Sequence, residues 1–359
     1  MTIAKHEFQY IQPGKVAVLC DGQFGSTGKG LLAAYLSCQD HNEVDIATTN
    51  AAANAGHWTK FKDPNREDFC CFHLPTFGVI QPDCKIFLNA GSIINVDMLF
   101  QEIEECKINI NRLIIHPNAS IISIDDINYE ADEHSDATMI ASTRKGVGRA
   151  LSRKVNRSAL LAKDDPRLKA YISTPNLNTC LQKGGRISME IPQGYSLSLN
   201  GPFYPYCTSR NCTVGAGMND AGIHASFLGQ VAMAMRTLPI RVGNIPGGGH
   251  SGDVYPDQEE LTWEQIGQIP ELTTVTKRER RIFSWSDIQC LMAIVDNRPS
   301  VTFLNFCNYI DETQVDLIHD AIQLASMQNL GVRQRFLLGH GPNVEDVEPL
   351  PWTNMELDS

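Results

Sequence analysis

The chain has 359 residues, of which 42% are hydrophobic and 20% charged, a composition typical of a globular protein with a large core. Its net charge of −11 argues against sequence-independent nucleic-acid binding and against a membrane-surface role, so local basic clusters have to hold any phosphate ligand. The sequence contains neither the roughly 20 consecutive apolar residues of a membrane span nor a signal-peptide core at its start, so we expect a cytoplasmic protein without a membrane partner.

The cysteines and histidines show no pattern of a metal site. The 11 cysteines are scattered without a Cys-x-x-Cys pair, and the 10 histidines lack the spacing of structural zinc ligands. Free cysteines in a reducing compartment are mostly small buried hydrophobic residues. The sequence therefore predicts neither a disulfide framework nor structural zinc.

A glycine-rich turn is the strongest local signal near the start of the chain. The apolar run 16–19, the glycines within 21–30 and the apolar pattern 31–36 predict a strand, a turn and a helix. Glycines allow positive φ and bring several backbone N–H groups close to one ligand. A turn of this kind at a helix N-terminus binds phosphate, and Lys29 adds a positive charge. We therefore predict a phosphate-binding loop.

The loop does not match two common nucleotide motifs. A P-loop would need glycine in place of Gln23 and serine or threonine in place of Gly30. A dinucleotide fingerprint can be forced onto 28–33, but the next strand-like run, 44–49, lacks the acidic residue that binds a ribose. A turn that serves packing alone is the remaining alternative, and a lysine between two glycines disfavours it.

Strand-like and helix-like segments alternate along the rest of the chain. Strands are predicted at 46–49, 85–88, 112–115 and 301–304, and helices at 97–106, 224–235, 286–295 and 314–327. Long functional loops are predicted at 200–205, 243–256 and 339–351. This alternation predicts an α/β fold, a single large domain over 1–359 with a central, mainly parallel sheet flanked by helices. Ligands are expected at the strand ends.

Three further segments have residue types suited to phosphate or carboxylate binding. Asn54 to His57 follow a predicted strand, where His57 suits stabilisation of a transferring phosphate. Basic residues within 138–157 indicate a phosphate site or, alternatively, a solvated basic helix. Basic residues within 277–281 suit two-point binding of a dicarboxylate or, alternatively, form a surface charge run.

Six segments taken together resemble the adenylosuccinate synthetase family in order and spacing, over nearly the whole chain. They are 25–30, 54–57, 142–143 with 154–157, 193–194, 204–213 and 275–281. The resemblance implies a two-step ligase reaction. A nucleoside triphosphate phosphorylates O6 of a purine monophosphate, and the amino group of L-aspartate then displaces that phosphate at C6.

The resemblance also implies roles for individual residues. The catalytic positions are Ser26, Lys29 and His57. The purine nucleotide is bound by Ser26, Asn54, Thr143, Gln193 and Thr208, joined by Arg157 from a second subunit of a homodimer. L-aspartate is bound by Val275, Thr276 and Arg278. The triphosphate nucleotide is bound by Gly25, Thr27, Gly28, Lys29, Gly30, Gly56, His57, Trp58, Arg280, Asn305, Asn308, Gly339 and Gly341, with Mg²⁺ at Ser26 and Gly56.

Two positions differ from ordinary family members. Ser26 stands where they carry the aspartate that removes the N1 proton and binds Mg²⁺, and serine is a poor base at neutral pH. Asn308 stands where they carry the aspartate that binds guanine of GTP. An amide both donates and accepts, which suits adenine. The change predicts ATP or dATP as the energy donor.

Both differences resemble a viral branch of the family, the phage 2-aminoadenylosuccinate synthetases, which use dGMP and lead to 2-aminoadenine DNA. A phage enzyme of this kind would act in the bacterial host cytoplasm. The short Ser26 side chain leaves room for a 2-amino group. Asp21, a water or the aspartate substrate are alternatives for the N1 base. The competing hypotheses are an ordinary synthetase acting on IMP and a catalytically inactive nucleotide-binding homologue.

Overall fold

A computed structural model describes residues 9–245, 247–273 and 277–351. Its strands are β1 Val16–Asp21, β2 Ile46–Thr49, β3 His57–Thr59, β4 Phe69–Cys71, β5 Lys85–Leu88, β6 Ile93–Ile94, β7 Leu113–Ile115, β8 Ser120–Ile121, β9 Ile187–Glu190, β10 Leu228–Arg236, β11 Ile240–Arg241, β12 Glu260–Leu261, β13 Arg281–Phe283, β14 Val301–Asn305, β15 Arg335–Gly339 and β16 Val347–Pro349. Its α-helices are α1 Lys29–Ser37, α2 Thr76–Ile80, α3 Val96–Glu105, α4 Ile124–Ala131, α5 Asp136–Met139, α6 Val147–Val155, α7 Leu177–Gln182, α8 Val214–Asp220, α9 Asp287–Asn297 and α10 Glu312–Leu330. Within these ranges, no helix has the length and apolarity needed to cross a bilayer.

Nine strands form one sheet in the order β16-β15-β14-β10-β1-β9-β2-β5-β7. Neighbouring strands run parallel except at the edge, where β15 and β16 are antiparallel. The predicted α/β fold with a central, mainly parallel sheet is confirmed. Strands from both ends of the chain share this sheet, so no sheet boundary divides the chain into halves.

The first strand shows why the sheet is buried on both faces. In β1, Val16, Val18 and Cys20 pack into the core cluster formed with α7 to α10. The alternate residues Ala17 and Leu19 pack into the cluster on the opposite face, formed with α1 and α2. Side chains alternate between the faces of a strand, so a strand covered on both faces needs an unbroken apolar run.

The helix predicted at 224–235 is wrong, because most of that segment is the central strand β10, which lies between β1 and β14. Its odd-numbered residues 231–235 enter one core cluster, while Ala232 and Ala234 enter the other. An apolar run rich in alanine and methionine has high helix propensity, and periodicity alone does not separate a buried helix from a strand covered on both faces. Burial on both faces of the sheet therefore outweighs the helix propensity of this segment.

The other predicted elements are confirmed, with small shifts at their ends. The strand expected at 112–115 begins at Leu113, because Arg112 ends a short 3₁₀ turn. The loop predicted at 339–351 is wrong in part, since it contains β16 and a 3₁₀ turn at Val344–Asp346. Segments 200–205 and 243–256 have no strand or helix among their described residues.

The central strands end on buried polar residues at one edge of the sheet. β1, β2, β9, β10 and β14 run parallel and end at Asp21, Thr49, Glu190, Arg236 and Asn305. Carboxyl ends of parallel strands meet at the same edge, where α/β folds bind ligands. The fold therefore directs several polar side chains toward the loops that follow these strands.

Candidate active site

A cavity of about 600 Å³ opens at this edge of the sheet. Its walls come from the loops after β1, β2 and β9, from the segment 136–152, and from residues near 206–209 and 241. The predicted residues in its lining are Gly25, Ser26, Thr27, Gly28, Lys29, Gly30, Asn54, Gly56, His57, Trp58, Thr143, Gln193, Thr208 and Arg280. Residues far apart in sequence thus line one cavity large enough for small-molecule substrates.

Asp21 organises the glycine-rich loop from below. Its carboxylate accepts hydrogen bonds from the backbone N–H of Gln23 at 2.8 Å and of Gly25 at 3.2 Å. It also accepts from the hydroxyl of Thr27 and from Nζ of Lys29, the latter at 3.1 Å. Asp21 is 2% exposed and lies outside the cavity lining. A carboxylate that is buried and accepts four hydrogen bonds holds a loop in shape and is poorly placed to take a proton from a ligand.

The turn itself depends on left-handed backbone. Gly28 has φ of 93°, and a Cβ there would stand 2.1 Å from Nδ2 of Asn305. Asn305, predicted to bind the triphosphate nucleotide, is buried, donates to the carbonyl of Thr27 at 3.1 Å and accepts from the N–H of Phe306 at 2.8 Å. Ser26 adopts φ of 56°, and its side chain is exposed to the cavity. Asn305 therefore holds the loop, while Ser26 faces the open space.

Helix α1 begins at the loop and leaves its first N–H groups without a side-chain cap. Its first residue, Lys29, is 7% exposed, and its Nζ donates to Asp21 and to the carbonyl of Gln193 at 2.6 Å. An uncapped helix N-terminus with a lysine beside it is an anion site. The predicted phosphate-binding role of this loop agrees with the geometry.

Two predicted nucleotide-binding residues form a direct hydrogen bond. Nε2 of Gln193 donates to Oδ1 of Asn54 at 2.7 Å. The His57 side chain is 16% exposed at the cavity wall, and its Nδ1 lies 3.7 Å from Oε2 of the buried Glu190. The loops after β2 and β9 are thereby joined next to the glycine-rich loop.

The basic segment after α5 forms the opposite wall. Thr143 lines the cavity, and the carboxylate of Glu130 accepts the backbone N–H of Gly146 at 2.7 Å and of Arg149 at 3.0 Å. Nη2 of Arg278 donates to the carbonyl of Ala141 at 2.7 Å, so this arginine contacts the wall from outside the cavity lining. The predicted aspartate-binding residues Val275 and Thr276 lie outside the described residues.

Two arginines in the lining, the buried Arg241 and the half-buried Arg280, give the cavity a positive rim in an acidic protein. Burial lowers the pKa of the Arg280 guanidinium to about 10, and the adjacent carboxylate of Glu271 opposes that shift. Burial likewise lowers the pKa of Arg241 to about 10, and both arginines line the cavity. Arg236 is fully buried, pairs with Glu271 at 2.7 Å and stands 3.8 Å from the ring of Phe306. Anions are the ligands that such a rim attracts.

Four further predicted binding residues lie outside the cavity lining, as Asn305 and Arg278 do. Arg157 is exposed at the end of α6 with φ of 62°, and its Nη1 donates to the carbonyl of Val155 at 2.9 Å. Asn308 is exposed in a short 3₁₀ turn. A Cβ at Gly339 or Gly341 would contact Asn305 or Asp346, so packing accounts for both glycines.

Sequence reasoning missed several residues at the site. Phe306, Tyr206 and Arg241 line the cavity, and Glu190 lies behind His57. Phe306 was detectable, because it directly follows the strand end at Asn305. The others approach through long-range contacts that no local pattern reveals.

The described side chains do not form a metal site by themselves. Among the residues that the structure describes, no group of three or more His, Cys, Asp or Glu side chains could hold a metal ion. Ser26 and the backbone of Gly56 offer neutral oxygen atoms in the cavity lining. Mg²⁺ commonly takes few protein ligands and relies on substrate phosphates and water, so these oxygens fit it only together with a bound nucleotide.

Comparison with known proteins gives consistent matches over most of the chain. The model of the adenylosuccinate synthetase family matches residues 18–170 and 161–298. An N6-succino-2-amino-2′-deoxyadenylate synthase of Vibrio phage phiVC8 is 40% identical over 349 residues, which cover 93% of this chain and 97% of that protein. An adenylosuccinate synthetase of Archaeoglobus fulgidus is 32% identical over 275 residues, covering 75% of this chain and 76% of that protein.

A solved structure is similar over nearly the same extent. It is the succinoaminodeoxyadenylate synthetase of cyanophage S-2L, bound to dGMP and to dATP as an energy donor. The TM-score is 0.81 at 33% sequence identity, with 94% of this chain and 96% of that chain covered.

Proposed function

Because the chain belongs to the adenylosuccinate synthetase family, we propose that it joins L-aspartate to C6 of dGMP at the expense of ATP or dATP. The product is 2-amino-2′-deoxyadenylosuccinate, a precursor for 2-aminoadenine DNA, with ADP or dADP and phosphate released. The enzyme is a carbon–nitrogen ligase, and we take 1–359 as one catalytic domain. The phage relatives that carry this activity in their names match 93% or more of the chain in three cases and support dGMP over IMP.

Ser26 is the observation that carries the choice of dGMP. Its side chain is exposed to the cavity from a left-handed turn, next to the predicted phosphate site. Ordinary members carry an aspartate at this position, whose longer charged side chain approaches N1 of hypoxanthine. A serine leaves space next to C2, where guanine has its amino group. The loop thus admits a larger base at the cost of the usual catalytic carboxylate.

In the first step, the γ-phosphoryl group moves from the triphosphate to O6 of dGMP. The uncapped N-terminus of α1 and Nζ of Lys29 hold the phosphates, and Arg280 adds positive charge at the rim. His57 stabilises the negative charge of the transferring group from the cavity wall. Gln193 and Asn54 hold the dGMP together with Thr143 and Thr208.

In the second step, the amine of L-aspartate attacks C6 and phosphate leaves with O6. Arg278, with Val275 and Thr276, binds the carboxylates of aspartate. Asp21 is a poor candidate for the N1 base, because four hydrogen bonds hold it beneath the loop. A water held near Ser26 or the aspartate substrate itself remains for that proton.

Mg²⁺ supplies charge neutralisation for the triphosphate when it is bound. The hydroxyl of Ser26 and the carbonyl of Gly56 are the protein oxygens that would face it. Both are neutral, so the ion depends on the nucleotide more than in relatives with a carboxylate at this position. Affinity for the ion in the absence of nucleotide is therefore weak.

The base of the energy donor is expected near Phe306 and Asn308. The Phe306 ring lines the cavity and is held by the guanidinium of Arg236 on one side. A purine stacks favourably on an aromatic face. Asn308, exposed nearby, has an amide where ordinary members have a carboxylate, which suits adenine over guanine. Gly339 and Gly341 shape the same edge of the sheet.

A homodimer completes the site in this proposal. Arg157 lies outside the cavity of its own chain, so it acts on dGMP only in a partner subunit. Exposed apolar side chains surround this end of the helix pair α4 and α6, with Ile124 68%, Val155 64% and Leu160 47% exposed. A surface of this kind is suited to self-association.

A substrate cross tests the function. Phosphate release is measured with dGMP, GMP and IMP, each combined with ATP, dATP and GTP in the presence of L-aspartate. We expect dGMP with ATP or dATP to give the highest kcat/KM. IMP with GTP as the best pair would indicate an ordinary synthetase, and nucleotide binding without any phosphate release would indicate an inactive homologue.

A further inference from the structure

A buried carboxylate lies directly behind His57. Glu190 ends β9 in the middle of the sheet, opposite Leu19 of β1 and Thr49 of β2, and is 2% exposed. Its Oε1 accepts the backbone N–H of Phe77 at 3.1 Å. Its Oε2 has no hydrogen-bond partner among the described residues and lies 3.7 Å from Nδ1 of His57.

An unpaired carboxylate oxygen at this depth is costly unless a positive group faces it. The Glu190 charge also acts on Tyr10, Cys71 and Cys84. Burial raises the pKa of all three, with the Glu190 charge adding to the effect, so they stay neutral. Within the described part of the chain, His57 is the basic residue that lies within 4 Å of this carboxylate. The His57 imidazole is therefore the group from which Oε2 can accept a hydrogen bond.

We propose that Glu190 is a positioning residue that accepts a hydrogen bond from Nδ1–H of His57 and thereby presents Nε2 to the transferring phosphoryl group. The inference rests on the proposed function. A carboxylate that accepts a hydrogen bond from one ring nitrogen fixes the tautomer and the orientation of a histidine. The separation of 3.7 Å is longer than a hydrogen bond, and catalytic contacts that are long without ligands tighten when the ligands are in place.

The packing around His57 favours one orientation of the ring. A Cβ at Gly30 would lie 3.1 Å from Cβ of His57, so the histidine backbone presses against the phosphate-binding loop. The side chain is thereby confined between that loop and Glu190. With Nδ1 facing the carboxylate, the opposite ring nitrogen is the one available to the cavity.

The main test is Glu190→Gln in the full-length enzyme. Glutamine keeps the size of the side chain and an oxygen for the N–H of Phe77, and it removes the charge behind His57. We expect kcat for phosphate release with dGMP, L-aspartate and ATP to fall about 10- to 100-fold, with both nucleotide KM values within about twofold of wild type. A merely structural role would leave kcat unchanged.

The matched control is Glu102→Gln. Glu102 is equally buried and pairs with His73 at 3.0 Å, but neither residue lines the cavity. We expect this variant to keep the wild-type kcat in its folded fraction. An equal loss of kcat in both variants would overturn the proposal, because it would attribute the loss to stability.

A spectroscopic readout works without turnover. In protein labelled with ¹⁵N-histidine, the His57 signals are assigned by their absence in His57→Asn. We expect a protonated Nδ1 in wild type and a changed tautomer balance in Glu190→Gln. Identical His57 signals in both proteins would overturn the inference. Absence of wild-type phosphate release from dGMP would instead overturn the proposed function, and the two failures are thus distinguishable.

Discussion

Two histidine–glutamate pairs in this chain have opposite surroundings. His73 and Glu102 lie between β4 and α3, with Nδ1 and Oε2 3.0 Å apart and side chains 0% and 3% exposed. Nε2 of His73 accepts the N–H of Asn95 at 3.1 Å, and Glu102 also accepts the N–H groups of Phe72 and Leu74. Every polar atom of that pair is used within the fold.

The pair at the cavity has an unsatisfied polar atom and contacts the cavity. His57 and Glu190 are 3.7 Å apart, Oε2 lacks a hydrogen bond, and one edge of the imidazole reaches the cavity. The same two residue types therefore serve two purposes. A fully satisfied network stabilises and fixes a core, whereas an incompletely satisfied one retains capacity for a ligand.

The largest difference is expected between the two histidines. His57→Asn should lower kcat for phosphate release about 10²- to 10³-fold, because a group that stabilises transition-state charge is lost. His73→Asn should lower the midpoint of thermal unfolding and leave kcat of the folded enzyme near wild type. Steady-state kinetics on both variants measures this, and a comparable kcat loss in His73→Asn would remove the distinction.

The two glutamates should differ in the reverse direction when stability is measured. Glu102→Gln should reduce the free energy of unfolding by about 2–3 kcal/mol, because the amide group leaves buried N–H donors unpaired. Glu190→Gln should cost about 1 kcal/mol or less, since only the N–H of Phe77 depends on it. Urea unfolding of both variants gives the values. A larger cost at Glu190 would make its role chiefly structural.

Ser26 extends the comparison to a cavity group that affects substrate choice. Ser26→Asp should lower kcat/KM for dGMP about tenfold through crowding next to C2. Aspartate tolerates left-handed backbone, so the φ of 56° at this position is not the cause. Ser26→Asn is the control for charge, since it adds similar volume without charge, and it should show a similar loss. Unchanged dGMP kinetics in both variants would refute the steric argument.

The smallest expected difference between the two histidines is in their rates of chemical modification. Diethylpyrocarbonate should modify His57, whose side chain is 16% exposed, while His73, at 0%, stays unmodified in the folded protein. Saturating dGMP with ATP should slow the reaction at His57. Peptide mass analysis gives both rates. Modification of His73 at the rate of His57 would show that the two pairs are equally open.

Local sequence patterns predicted the strand, turn and helix of the glycine-rich loop, most of the sheet, and a position for His57 after a strand end, because glycine spacing and strand ends are short-range signals. They failed at 224–235, where helix propensity lost to burial on both faces of the sheet. They also missed Glu190, which meets His57 only because β9 lies beside β2 in the sheet. Contacts across a sheet depend on strand order, which no single segment encodes.

The roles of individual residues also differ in whether a local motif or a long-range contact determines them. Ser26 and Gly28 were identified from one motif, and both lie at the cavity. Asn305 belongs to a recognisable position, yet its amide holds the loop through Thr27. The sequence indicates a polar residue at the end of this strand. Its hydrogen-bond partner follows from the strand order, in which β10 lies between β14 and β1.

Isotope transfer tests the ligase reaction most directly. The enzyme is supplied with dGMP labelled with ¹⁸O at O6, together with ATP and L-aspartate, and the products are analysed by mass spectrometry. We expect one ¹⁸O in each released phosphate and a succinyl-amino product that has lost the label. Unlabelled phosphate, or dGMP that keeps its oxygen while ATP is hydrolysed, would contradict transfer of the γ-phosphoryl group to O6.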